Sequence, residues 1–263
     1  MSDPFPQRPF EGRVALVTGV SRRAGIGFAL ARRLAEGGAD VVLHAFSSYD
    51  ETQRWHEPGG ADACATEIAA LGGRVELIEA DLADAATPAA LVAKAHDAFG
   101  GLDLMVANHT HWAGGGILDV ATDVLDRHHA VIVRGSLLLV QQMARRRPPG
   151  PGGRVILFSS GQHLGPMRDE IAYVASKGAL VQAVPSLSDE LIERGITVNA
   201  VNPGPNDTGW ITDELRETLL AQSPQGRVGV PSDTADLVGF LCSEAGGWIT
   251  GQVLNSEGGF RRA

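Results

Sequence analysis

Apolar runs of strand length alternate with longer amphipathic segments along most of this 263-residue chain. The runs are RVALVT (13–18), ADVVLHAF (39–46), RVELIEA (74–80), LDLMVAN (102–108), RVILFSS (154–160) and ITVNAVN (196–202), with QVLN (252–255) as a candidate last strand. Unbroken Val, Ile and Leu positions, without alternating polar ones, mark strands covered on both faces, as in a parallel sheet. The segments between them read as helices over 26–37, 61–72, 88–99, 122–146, 171–194 and 232–244. Right-handed crossovers would then lay helices on both faces. The pattern predicts an α/β fold with a doubly wound parallel sheet of about seven strands, in one domain spanning 1–263.

Glycine pairs 37–38, 72–73 and 100–101 each close a helical pattern just before a strand, where a left-handed residue is wanted. RRRPPGPGG (145–153) reads as a tight helix-to-strand connection, and no linker or internal repeat divides the chain. Pro185 falls inside the 171–194 segment, where a missing N–H and a ring clash cost about 3 kcal/mol or force a kink. A bend is expected there.

Composition narrows the class. With 44% hydrophobic and 20% charged residues the chain is neither disordered nor fibrous. A net charge of −9 argues against nucleic acid as a partner, since phosphate binding needs clustered Lys and Arg. Cys64 and Cys242 lack metal-ligand spacing, so no disulfide framework and no metal site is expected. MSDPFPQRPFEG has no basic-then-apolar signal pattern, and no apolar run approaches the roughly 18 residues of a spanning helix. The expectation is a cytoplasmic protein with no membrane partner.

Chemistry enters at Thr18-Gly19-Val20-Ser21-Arg22-Arg23-Ala24-Gly25-Ile26-Gly27, between the first strand and first helix. Glycines there let backbone approach a pyrophosphate that sits against the helix N-terminus. An acid at the end of the second strand would bind a ribose 2′-hydroxyl and repel a 2′-phosphate, but His44-Ala45-Phe46-Ser47-Ser48 supplies none. Arg22 and Arg23 can pair with a 2′-phosphate by charge-assisted hydrogen bonds, which favours NADP(H) over NAD(H); they can equally be solvated loop charges.

The fifth strand ends at Ser159-Ser160, and Tyr173-Val174-Ala175-Ser176-Lys177 opens the following helix. Spacing of four places Tyr173 and Lys177 on one helix face. Carbonyl reduction needs an acid at the oxygen that gains charge as a hydride arrives. Tyr173 fits, with its pKa expected to fall beside the Lys177 ammonium, and Ser160 can donate to the same oxygen.

The glycine turn, Ser160, Y-x-x-x-K, Asn202-Pro203-Gly204 and the later Ile249-Thr250-Gly251-Gln252 and Gly258-Gly259 together resemble the short-chain dehydrogenase/reductase family, most like its 3-oxoacyl-[acyl-carrier-protein] reductase members. The resemblance implies a single-domain Rossmann fold and catalytic Ser160, Tyr173 and Lys177, with Lys177 also holding the nicotinamide ribose. For the cofactor it implies Gly19, Ser21, Gly25 and Ile26 of the turn, Asp81 and Leu82 at the adenine edge, and Asn108, Pro203, Gly204 and Thr208. Asp81 can alternatively cap a turn. Two positions depart from the family: five residues separate Gly19 from Gly25 in place of three, and Ile132 stands where a proton-relay asparagine is usual, so Ile132→Asn is expected to retain or raise turnover.

Residues 205–230 resemble the family's substrate lid. Trp210, Ile211, Leu215 and Leu219 there either cap an apolar substrate or pack the lid onto the sheet. His109, His111, Trp112, His163 and Met167 follow strand ends and should border the cleft; His109, His163 and Trp210 are the candidate substrate residues, and the alternative for the histidines is exposed loop. A homo-oligomer, tetramer or dimer, is implied by resemblance, with helices 122–146 and 171–194 at an interface; core packing explains their apolar faces equally well. The leading function is NADP(H)-dependent interconversion of a small-molecule ketone or 3-oxoacyl group with a secondary alcohol. A tailoring ketoreductase of secondary metabolism or of a sugar ketone, and a dinucleotide-binding regulator that lost turnover, are the alternatives.

Overall fold

The computed structural model describes residues 7–262; residues 1–6, part of the N-terminal segment read above as lacking an export signal, and residue 263 lie outside it. Seven strands form one all-parallel sheet: β1 (Val14–Thr18), β2 (Asp40–Ala45), β3 (Val75–Glu79), β4 (Leu104–Ala107), β5 (Gly153–Phe158), β6 (Ile196–Asn202) and β7 (Val253–Asn255). Their spatial order is β3-β2-β1-β4-β5-β6-β7. The direction of winding reverses at β1, whose register pairs Thr18 with His44 on one side and Val17 with Val106 on the other.

Side-chain alternation splits even the wholly apolar strands between two cores. Ala15, Val17, Val41 and Leu43 face one layer, with Leu30, Leu34, Ile68 and Val238. Val14, Leu16, Val42 and Met105 face the other, with Leu91, Ile132, Leu139, Leu180 and Val184. The first layer is covered by α1 (Ile26–Glu36), α3 (Gly60–Ala69) and α9 (Pro231–Cys242); the second by α4 (Thr87–Phe99), α6 (Ser136–Arg146) and α7 (Ile171–Ile192). Ile132, Leu139, Val140, Leu180 and Val184 are thus spent on the chain's own core.

The predicted 122–146 helix is continuous but not uniform. It comprises α5 (Thr122–His128), a π-helical stretch over His129–Gly135, and α6. π-Helical insertions are rare and concentrate at functional sites; this one lies beside the cleft. Helix α7 is continuous across Pro185, where a bend is expected. Pro185 is exposed, so water can satisfy the carbonyl one turn earlier that its missing N–H leaves free. Two short helices escape the periodicity: α2 (Ser47–Asp50) and α8 (Asp213–Ala221), the second within residues 205–230. No described helix is long and apolar enough to cross a membrane.

Candidate active site

The carboxyl ends of β1 and β4 diverge where winding reverses, the place at which open α/β sheets bind ligands. A cavity of about 550 Å³ opens there. Its first wall is the glycine turn. Gly19 adopts φ +75°, and the amides of Gly19 and Val20 both donate to the His44 carbonyl at 2.9 Å. Asn108 Nδ2 donates to the Thr18 and Gly19 carbonyls, at 3.1 and 3.2 Å. A Cβ on Gly27 would overlap the Gly19 carbonyl, so the absence of a side chain lets α1 start directly against the turn. Gly19, Ser21, Arg22, Gly25 and Ile26 all line the cavity.

The opposite end holds the proposed chemistry. Ser160 follows β5, with its amide donating to Gln162 Oε1 at 3.0 Å, and Tyr173 sits in the first turn of α7. Lys177 Nζ lies 5.6 Å from the centre of the Tyr173 ring and donates to the Phe158 carbonyl at 2.9 Å. Ser160 and Tyr173 line the cavity, as do Pro203, Gly204, Thr208 and Trp210 from the segment after β6. Lys177 is buried behind them.

Residues 19–261 match a family model described as enoyl-(acyl carrier protein) reductase. An uncharacterized oxidoreductase of Bacillus subtilis, YjdA, is 40% identical over 95% of this chain and 97% of its own length. An NADPH-dependent aldehyde reductase-like chloroplastic protein of Arabidopsis thaliana is 36% identical, covering 97% and 96%. The structure of a short-chain dehydrogenase from Burkholderia cenocepacia in complex with NADP superposes with a TM-score of 0.85 at 35% identity, covering 95% and 98%. The chain belongs to the short-chain dehydrogenase/reductase family. It is an NAD(P)-dependent oxidoreductase acting on CH–OH or C=O groups.

In this short-chain dehydrogenase/reductase, burial sets the electrostatics of the Tyr-Lys pair. Burial pushes the Tyr173 phenol up to about 12, against the opposing hydrogen bond from Ser160. The sequence expectation of a depressed tyrosine is therefore reversed. Burial also drives Lys177 down to about 7, because a desolvated ammonium loses hydration that one carbonyl does not replace.

Of three expected ligand residues, His163 and Arg23 lie off the cavity lining and His109 lies on it. His109 touches the cavity wall but is a buried strut: Nδ1 meets Thr18 Oγ1 at 2.7 Å and Nε2 meets the Val131 carbonyl at 3.0 Å. Both ring nitrogens are engaged, and burial, with His44 and Lys177 nearby, lowers its pKa to about 3. His163 is exposed and absent from the cavity lining. Arg23 likewise stays outside, paired with Glu57 at 2.5 Å and Glu67 at 3.0 Å. His111 does line the cavity, but burial and the neighbouring His128 and Arg127 lower it to about 4, so it does not titrate near neutrality. Ile132 is buried in the apolar layer, so an asparagine there would place an amide among hydrocarbon side chains.

Asp81 caps a turn and faces the cavity. It lines the cavity beside Leu82, accepts from the Ala83 amide at 2.8 Å, and takes a bidentate pair from Arg127 at 2.8 and 3.1 Å. Burial raises its carboxyl, and the Arg127 bonds more than offset this, leaving it below the usual range.

The wall that the sequence did not reveal is the segment after β2: Phe46, Tyr49, Asp50, Arg54 and Trp55. Arg22 and Arg54 flank the Trp55 ring at 5.7 and 5.9 Å. Arg22 donates to the Thr208 carbonyl and Arg54 to the Trp210 carbonyl, the latter at 2.9 Å. The segment thereby joins the glycine turn to the stretch carrying Thr208 and Trp210. Its only sequence signal is an aromatic and charged insertion lacking helical or strand periodicity.

The His109 assignment is testable. His109→Leu removes the ring bond to the Thr18 hydroxyl and leaves the Val131 carbonyl without its imidazole donor, which should cost about 1–3 kcal/mol of stability. Thermal unfolding should register a clear loss; an unchanged melting temperature accompanied by a raised substrate KM would instead make His109 a substrate ligand.

Proposed function

We propose that this protein is an NADP(H)-dependent reductase converting a ketone or 3-oxoacyl carbonyl to a secondary alcohol, reversibly. The observation that carries this is the meeting of Ser160, Tyr173 and Lys177 at one end of a cavity whose other end is the glycine turn. Fit of a dinucleotide is supported by two buried polar atoms without protein partners on residues of the cavity wall, His44 Nδ1 and Ser159 Oγ. The cradle of Gly19 and Gly27 presents backbone, not side chain, to a pyrophosphate.

The nicotinamide supplies the hydride when bound; the remaining work falls to side chains. Tyr173, held as a neutral phenol, gives its proton to the oxygen on which charge develops. Ser160 donates a hydrogen bond to that oxygen and fixes its position. The phenolate left on Tyr173 is stabilised by the Lys177 ammonium behind the ring. Met167, Trp210 and Leu215 give the substrate end an apolar wall, while Glu170 adds one carboxylate.

Arg22, in the glycine turn, is a cation on the cavity wall available to a 2′-phosphate, and the NADP bound by the Burkholderia relative and the NADPH dependence in the Arabidopsis relative's name support that preference. Asp50 opposes it. Its carboxylate is hydrogen-bonded with Ser21, and burial, partly offset by that bond and by Arg22, raises its pKa.

Oxidation of NADPH across a panel of ketones tests the reading, and no turnover with any member would refute it. Tyr173→Phe should lower kcat by about 10²–10⁴-fold with NADPH affinity, read by fluorescence, unchanged. The reduction limb should follow Lys177: the ammonium is present below its pKa and lost above it, so kcat for reduction should fall as pH rises through about 7. Arg22→Ala should raise the NADPH KM by about tenfold or more with little effect on NADH, as expected for one charge-assisted phosphate contact. Arg23→Ala should leave both unchanged.

A further inference from the structure

The C-terminal tail reaches back to the catalytic loop through a buried ion pair. Arg262 grips Glu257 with both guanidinium ends, Nη1 to Oε2 at 2.9 Å and Nη2 to Oε1. Only 8% of the Glu257 side chain and 22% of the Arg262 side chain are exposed. The pair touches two segments that line the cavity without lining it itself.

On one side, a Cβ at Gly161 would overlap the Arg262 guanidinium, and one at Gly165 would lie 2.8 Å from its Cδ. The loop that begins at Ser160 therefore rests on Arg262 through two glycines. On the other side, Asn202 Nδ2 donates to Glu257 Oε1 at 2.8 Å, while Asn202 Oδ1 accepts from the Gly204 amide at 3.0 Å. A Cβ on Gly204, at φ +64°, would lie 2.9 Å from Glu257 Cγ. The carboxylate thus supports the turn that carries Pro203 and Gly204. Burial raises the Glu257 carboxyl, but Arg262 and Asn202 outweigh it and hold it below its ordinary value. The tail is anchored further by Arg261 N–H to the Gln222 carbonyl at 2.9 Å, at the end of the lid helix α8.

We infer that Glu257 and Arg262 form a positioning clasp that sets the catalytic Ser160 loop against the Asn202-Pro203-Gly204 turn. Neither residue contacts the reacting groups. The inference rests on the reductase reading above for its kinetic consequence, but its geometric consequence does not depend on it. Without Arg262, a buried carboxylate is left facing Asn202 and a gap opens beneath Gly161. Ser160 can then drift, and misplacement of about 1 Å costs about 10²-fold in rate.

The test compares the full chain with Arg262→Ala, Glu257→Gln and the double variant. Steady-state kinetics should show kcat lowered about 10- to 100-fold in each, with the NADPH KM within about twofold. The double variant should be no worse than the poorer single one, because both break one unit. Millimolar guanidinium ion should restore part of the kcat of Arg262→Ala and none of that of Glu257→Gln. Hydrogen exchange should rise in residues 159–166 and 202–206 and not in β1 or α4. Wild-type kcat in Arg262→Ala, or exchange raised evenly through the chain, would overturn the clasp. If the wild type reduces no ketone, the reductase reading fails, and the exchange pattern still decides the clasp. Should Arg262→Ala fold poorly, Arg262→Lys keeps the charge without the bidentate grip and should show the same localised exchange.

Discussion

The parallel pairing of β1 with β2 on one side and β4 on the other sends successive crossovers away from the same strand, leaving a crevice at their carboxyl ends. What keeps that crevice shaped is a set of bonds made by backbone leaving β1. The His44 carbonyl of β2 takes the amides of Gly19 and Val20, Asn108 beyond β4 takes the Thr18 and Gly19 carbonyls, and His109 clamps the Thr18 hydroxyl to the Val131 carbonyl. One turn is thereby fastened to β2, to β4 and to the π-helical stretch. The buried imidazole ties that stretch to a neighbouring strand end, since the Val131 carbonyl of the irregular helix meets His109 Nε2.

Burial also gives the tyrosine and lysine unequal protonation behaviour. The same loss of water that keeps Tyr173 a phenol weakens the hold of Lys177 on its proton. A neutral acid beside an ammonium that titrates near neutrality suits proton delivery to a developing alkoxide. It suits the reverse reaction less, which needs the phenolate from the start. The clasp of Glu257 and Arg262 belongs to the same economy of charge: a carboxylate buried close behind the cavity is tolerable only because a guanidinium and an amide satisfy it.

Strand runs such as RVALVT and RVILFSS were legible because parallel strands are apolar on both faces and helices between them end in glycine. Ser160, Tyr173 and the glycine turn were legible because local spacing places them at strand ends and in one helix turn. What failed to show was everything decided by distant partners. His109 and Arg23 look like free ligands in the sequence, and only the fold reveals Thr18 and Val131 around one, Glu57 and Glu67 around the other. The depressed tyrosine pKa expected from a lysine four residues on neglected desolvation, which depends on how deeply the pair is packed. The π-helical stretch had no signal either, since its apolar residues fit an ordinary helical face.

The segment after β2 changes the argument about cofactor choice. No acid occurs from the end of β2 through Ser48, yet α2 turns the chain back so that Asp50 reaches Ser21 and Arg22. The carboxylate that disfavours a 2′-phosphate and the guanidinium that favours it therefore share one wall. Arg22 is further committed, since its donors already serve Thr208. A 2′-phosphate would bind by drawing the guanidinium from a neutral carbonyl to a dianion, an exchange that gains charge-assisted bonds and loosens the tie between the glycine turn and the lid. On the NADP(H) reading, selectivity at the ribose would therefore bear on how the segment around Thr208 sits against the glycine turn, because Arg22 serves both.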